Sequence, residues 1–197
     1  MRYSLAGIND HDSAFYDREL QYLCRSKYER AISFKNTSDR RLCILGDYEA
    51  RCLISSMLGI SPAEVYVVPD SRGRPVIARP SDSGLFCSIS HSGAIACACA
   101  GSSPVGIDIE YVRAYDRGVA LAVLSNAELA YIDETGDTGF YRIWTAKESY
   151  LKCIGTGLTD IEDLKYIDAL HTPDGFIRET IEPEPGYVVS ICRQVTT

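Results

Sequence analysis

Three groups of residues have types and spacings that could do chemistry. The first is Trp144-Thr145-Ala146-Lys147-Glu148-Ser149-Tyr150-Leu151-Lys152. Phe140, Ile143, Trp144, Leu151 and Ile154 recur around it at helical period, and Gly155 is a stop signal. At about 100° per residue, Lys147 falls in the middle of the apolar stripe, while Glu148 and Lys152 lie one turn apart on its edge. A lysine aimed at a core either snorkels its ammonium out to water or meets an anion there. The second group is Val105-Gly106-Ile107-Asp108-Ile109-Glu110. Strand alternation puts Val105, Ile107 and Ile109 on one face and Gly106, Asp108 and Glu110 on the other, with the two acidic Cα atoms about 6.6 Å apart. Their carboxylates could converge on one cation, with Gly106 leaving bare backbone for a close approach. An amphipathic strand with a solvated acidic face is the commoner use of such a pattern. The third group is Ser88-Ile89-Ser90-His91-Ser92-Gly93, whose hydroxyls, histidine and open amides suit phosphate oxygens but are also ordinary turn chemistry. A serine hydrolase is disfavoured, because no nucleophile elbow surrounds these serines.

The elements that must position these groups are legible in outline. Tyr3 to Ile8 reads as a strand and Asp17 to Ile32 as helical. Asn36-Thr37-Ser38-Asp39 supplies helix-start chemistry, and Leu42, Leu45, Tyr48, Cys52, Leu53 and Met57 then follow a helical period up to Gly59. Short strands are expected at 65–68, 75–78, 85–90, 94–100 and 105–110, with turns at 70–73 and at His91-Ser92-Gly93. In the second half, Ser125-Asn126-Ala127-Glu128 resembles a capping box opening a short helix, Thr135-Gly136-Asp137 punctuates, and a long helix runs from about Thr138 to Ile154. Strands at 164–168, 176–181 and 187–192 complete it. Helix followed by meander, twice over, implies an α+β chain of two similar halves, 1–103 and 104–197, with a pocket expected between them.

Composition narrows the classes further. The chain has 197 residues and 46% hydrophobic content, enough for a substantial core. No apolar run approaches the roughly 20 residues of a membrane span, and no secretory signal opens the chain, so the cytoplasm is the expected compartment. Cys24, Cys43, Cys52, Cys87, Cys97, Cys99, Cys153 and Cys192 contain no C-x-x-C pair and read as reduced, mostly buried thiols rather than zinc ligands. A net charge of −7 argues against broad nucleic-acid binding. Against that background, Arg25 to Arg41 carries six basic residues and two acids, either a solvated helix face or a small polyanion site.

Taken in order, S-x-S-H-S-G, G-x-D-x-E and W-x-x-K-E-S-x-x-K resemble the 4'-phosphopantetheinyl transferases, in their larger single-chain type. With Leu45-Gly46-Asp47 and Gly73-Arg74-Pro75, the resemblance covers roughly residues 25 to 160. It implies pseudo-symmetric α+β halves, each a long helix packed on a small antiparallel sheet, with the active site between them. It also implies Mg²⁺ (or Mn²⁺) on Asp108, Glu110 and Glu148, and coenzyme A as substrate. Ser90 and His91 would bind the coenzyme phosphates, Lys152 the pyrophosphate, and Lys27 and Arg30 the 3'-phosphate. Arg74 stands where the family often has lysine, keeping the charge and changing the geometry. Lys147 would neutralise an anion of the coenzyme or pair with an acid near the metal. Glu148, Lys152 and His91 would carry catalysis, with Glu148 the candidate base. The implied partner is an apo acyl or peptidyl carrier protein, and the implied state is a monomer; Tyr111 to Leu124 is a candidate contact segment, although its apolar Val119 to Leu124 run could equally be core. A metal-dependent nucleotide phosphohydrolase and a non-catalytic coenzyme A binding module are the competing classes.

Overall fold

In the computed structural model, which describes residues 1–156 and 161–195, alternation and helical period become two matching layers. The first half comprises β1 (Arg2–Gly7), α1 (Ser13–Glu19), α2 (Arg25–Ser33), α3 (Thr37–Leu58), β2 (Tyr66–Pro69), β3 (Pro75–Arg79), β4 (Phe86–Ser92) and β5 (Ile95–Gly101). The second comprises β6 (Val105–Tyr111), α4 (Arg117–Val123), α5 (Asn126–Ile154), β7 (Phe176–Ile181) and β8 (Tyr187–Gln194). The strand orders are β1-β5-β4 and β6-β8-β7, all antiparallel, with β2 and β3 a separate hairpin. Helix α3 packs on the first sheet and α5 on the second, as the pattern of elements implied.

Local chemistry explains both long helices. The Asn36 side chain accepts from the Ser38 amide at the start of α3, and Gly59 ends it with φ 71°. Ser125 and Glu128 form a reciprocal capping box on α5, which Gly155 terminates with φ 75°. Gly136, at φ 66° and ψ −146°, is non-helical and kinks α5, separating the short helix opened at Ser125 from the longer one ending at Ile154, as the punctuation at Thr135-Gly136-Asp137 implied. The halves share a core in which Cys97 and Cys99 of β5 meet Ile107, Ile109, Val189 and Ile191. All eight cysteines are free; six are buried, and Cys43 and Cys52 are half-buried.

Four expectations need correction. The helix read over 17–32 is two helices. Asp12 caps α1 through the Phe15 amide, a 3₁₀ turn follows at Leu20–Tyr22, and α2 begins only at Arg25. The strand read at 164–168 overlaps a 3₁₀ segment, Ile161–Tyr166. Alternation over five residues cannot tell a strand from a turn that inserts one side chain. Here Leu164 is fully buried and its carbonyl accepts both the Ile167 amide and a lysine. His91 and Ser92 extend β4 rather than turn; the reversal is left to Gly93, at φ 58°. Gly106 serves helix packing rather than a ligand. A Cβ there would collide with the Ser149 carbonyl and the Cys153 amide, so glycine is what lets α5 lie directly on β6. In α4, Ala120 and Val123 join the core, as does Leu124 just beyond its end, while Val119 and Leu121 face outward. Among the described residues no helix is long and apolar enough to cross a membrane.

Candidate active site at the seam

Strands β4 and β6 lie side by side where the halves meet, although they belong to different sheets. The groups singled out in the sequence come together there. Ser90 Oγ donates to Asp108 Oδ1 at 2.8 Å, and Lys152 Nζ reaches both Asp108 Oδ1 at 2.6 Å and Ser90 Oγ at 3.0 Å. Ser92 Oγ donates to Glu110 Oε2 at 2.7 Å. On the face of α5 next to Lys152 lies Glu148, whose charge couples to those of Asp108, Lys152 and Glu110.

A cavity of about 300 Å³ opens beside this cluster, lined by Lys27 and Arg30 of α2, Cys43 and Asp47 of α3, Ser90 and His91 of β4, and Lys152. Arg74 and Gly73 border an adjoining cavity of about 180 Å³ that shares Lys152. The basic run from Arg25 to Arg41 is thus divided: Lys27 and Arg30 face the cavity, while Arg25 pairs on the surface with Glu29. Lys27 is held from behind. Its ammonium contacts Asp47 Oδ1 at 2.6 Å, Asp47 Oδ2 accepts from Arg51 at 2.8 Å, and Arg51 reaches Glu19 at 2.8 Å. Arg51 is 1% exposed and also donates to the Pro62 carbonyl. Sequence reading missed Glu19 and Arg51. The available signal was Asp47 and Arg51 at i,i+4 on the same helix face as core residues.

The electrostatics separate the acids. Burial, followed by the charges of Asp108 and Glu110, pushes the Glu148 carboxyl up to about 7 even though Lys152 pulls it down. Glu110 is also raised, by burial first, with the Ser92 hydrogen bond opposing. Burial alone would lower Lys152, but the charge and hydrogen bond of Asp108 outweigh it and the pKa stands above the ordinary lysine value. His91 keeps much of its surface in solvent, yet the ring is set down among packed atoms. This desolvation, then the charges of Arg30 and Lys152, lowers its pKa.

Two oxygens stand out. Asp108 Oδ2 and Glu148 Oε1 are buried and have no hydrogen-bond partner. Buried anionic oxygens without donors are costly unless a cation completes them. Hard carboxylate donors of this kind fit a divalent ion such as Mg²⁺. Among the described residues no three acidic, histidine or cysteine side chains already form a closed cluster; Lys152 contacts the other oxygen of Asp108, and Ser92 donates to Glu110.

Lys147 is not part of this site, and the expectation that it contacts the coenzyme is overturned. It is 1% exposed, and its ammonium donates to Glu128 Oε2 at 2.7 Å, the Leu164 carbonyl at 2.8 Å and the Val123 carbonyl at 3.0 Å. Those three bonds use every ammonium proton. The anion that the stripe position demanded is therefore a structural carboxylate, Glu128, which also accepts from the Ser125 and Ala169 amides.

Two pseudo-symmetric layers thus meet at a seam where a cavity lined by Lys27, Arg30, His91 and Lys152 lies beside two unpartnered carboxylate oxygens, those of Asp108 and Glu148. The family model described as the 4'-phosphopantetheinyl transferase superfamily matches residues 104–192. The 4'-phosphopantetheinyl transferase ffp of Bacillus subtilis is 30% identical over 193 residues, spanning 89% of this chain and 84% of the relative. Sfp of Bacillus subtilis strain 168 is 28% identical over 192 residues, with the same coverage, and HetI of Nostoc is 32% identical over 151 residues, 73% of this chain and 64% of the relative. This chain belongs to the 4'-phosphopantetheinyl transferase superfamily.

Proposed function

We propose that this chain moves the phosphopantetheine arm of coenzyme A onto a serine hydroxyl of an apo acyl or peptidyl carrier protein, releasing adenosine 3',5'-bisphosphate. The observation that carries the reading is the pair of unpartnered buried oxygens, Asp108 Oδ2 and Glu148 Oε1, beside a cavity walled by Lys27, Arg30, His91 and Lys152. In this reading residues 1–103 hold the 3'-phosphate and adenine side of the coenzyme, and residues 104–197 bring the acids and the catalytic helix. The chain would act as a monomer in the cytoplasm, since both halves of the site come from one chain.

Lys27, presented by Asp47, and Arg30 receive the 3'-phosphate. Ser90, His91, Arg74 and Lys152 receive the pyrophosphate, whose charge must be offset as the bond breaks. Asp108, Glu110 and Glu148 would hold Mg²⁺ or Mn²⁺, which when bound supplies further neutralisation of the phosphate oxygens. The carrier serine oxygen forms a bond to the phosphorus that bears the pantetheine. The bond from that phosphorus to the bridging oxygen breaks, and its electron pair leaves on the adenosine bisphosphate. Glu148 is the group assigned to accept the serine proton. Lys152 stays charged beside the breaking bond because Asp108 raises its pKa.

Incubation with coenzyme A, Mg²⁺ and an apo carrier protein should add one phosphopantetheine arm, read by intact mass. The gain should vanish in excess chelator and return with Mg²⁺ or Mn²⁺. Release of phosphate or nucleotide without a mass gain would point instead to a phosphohydrolase, and binding without turnover to a coenzyme A binding module. Lys27→Ala and Arg30→Ala are each expected to weaken coenzyme A binding on the order of tenfold, the scale of one charge-assisted hydrogen bond. Calorimetry with the 3'-dephospho form should show little change. Equal losses for both ligands would remove the 3'-phosphate from that end of the cavity.

A further inference from the structure

Strand β4 carries serines at 88, 90 and 92, alternate positions that share one face. All three engage β6, although no strand ladder joins the two sheets. Ser88 Oγ accepts from the Ile107 amide at 3.2 Å, and Ser90 Oγ donates to Asp108 at 2.8 Å. Ser92 Oγ donates to Glu110 Oε2 at 2.7 Å and accepts from the Tyr111 amide at 3.1 Å. The hairpin tip beyond Ser92 is fastened to the other half as well, because the Ala94 amide donates to the Tyr187 hydroxyl at 2.9 Å.

We infer that Ser92 is a positioning residue that holds Glu110 in the orientation needed to ligate the divalent cation, so that the first half of the chain sets the geometry of an acid in the second. A serine hydroxyl has one proton and accepts with its lone pairs. With the Tyr111 amide satisfying an acceptor site, the proton is directed at Glu110, and a side chain with three rotatable bonds is confined to one arrangement. Partners that orient a ligating carboxylate are typically worth 10- to 100-fold in metal affinity. Ser92 differs in this from Ser90, which contacts Lys152 and lines the coenzyme cavity. The inference rests on the divalent-cation reading above.

The test is direct Mn²⁺ binding to the full chain in the presence of coenzyme A, followed by the electron paramagnetic resonance signal of free Mn²⁺. Ser92→Ala should raise the Mn²⁺ Kd by roughly 10- to 100-fold, and Ser92→Thr, which keeps the hydroxyl, should stay near wild type. The Mn²⁺ concentration for half-maximal transfer should move in parallel, while kcat at saturating metal changes little. Melting temperatures of the metal-free variants should agree within a few degrees, since water can replace the serine at the exposed Tyr111 amide. A Ser92→Ala Kd equal to wild type would overturn the inference, as would equal weakening in Ser92→Thr. Wild-type protein that binds no Mn²⁺ would overturn the cation reading beneath it.

Discussion

Glu148→Gln is expected to lower phosphopantetheine transfer by roughly 10²- to 10³-fold, the usual cost of removing one group aimed at developing charge, in a protein that folds normally. Glutamine keeps the shape of the side chain and its half-buried position on α5 but can neither take the serine proton nor bring a negative charge to a cation. The same substitution should stabilise the metal-free protein at high pH. Folding raises the carboxyl pKa from 4.5 to about 7 by burial and by the charges of Asp108 and Glu110. The protonated acid is therefore tolerated and the ionised one is not. Its contribution to stability is fully present below pH 4.5 and is lost as pH rises through about 7. Thermal melts in chelator should show Glu148→Gln matching wild type near pH 4.5 and exceeding it at pH 8, with added divalent cation closing the gap. A variant with near wild-type transfer rate would remove Glu148 from the chemistry.

Lys147→Met should do the reverse, leaving the site intact and weakening the fold. Lys147 and Glu128 are both essentially sealed from solvent, and removing one partner strands the other charge. Breaking such a pair typically costs about 3–5 kcal/mol, which in a chain of this size lowers Tm by roughly 10 °C. Coenzyme A affinity measured on the folded protein should not change. Glu128→Gln added to Lys147→Met should recover part of the loss, since the stranded charge is then gone while the one carbonyl oxygen of the new side chain can still accept from either the Ser125 or the Ala169 amide. A folded Lys147→Met protein of normal stability that binds coenzyme A poorly would return Lys147 to the site.

These two neighbours show where sequence reading succeeds and where it stops. Period alone separated them: Lys147 in the stripe, Glu148 and Lys152 at its edge, and the structure buries the first while setting the other two beside the seam. Strand alternation likewise put Asp108 and Glu110 on a face away from Ile107 and Ile109, because side-chain direction is a property of local backbone geometry. The identity of what each side chain meets is not local. Glu128 lies on the same helix as Lys147, but the two reach each other only because Gly136 kinks α5 between them. Leu164 supplies its carbonyl from a turn that looked like a strand.

By itself the sequence determined the two-layer plan, the faces of the charged elements and the motif order that marks the superfamily. Each depends on a period, a cap or a spacing that short stretches carry whole. Tertiary structure alone decided that Gly106 admits a helix backbone, that Arg51 and Glu19 stand behind Lys27, that Ser92 grips Glu110 and that Lys147 is structural. Each of those outcomes depends on contacts between residues distant in the chain or separated by a bend, and such contacts form only when the two halves and their helices are packed together.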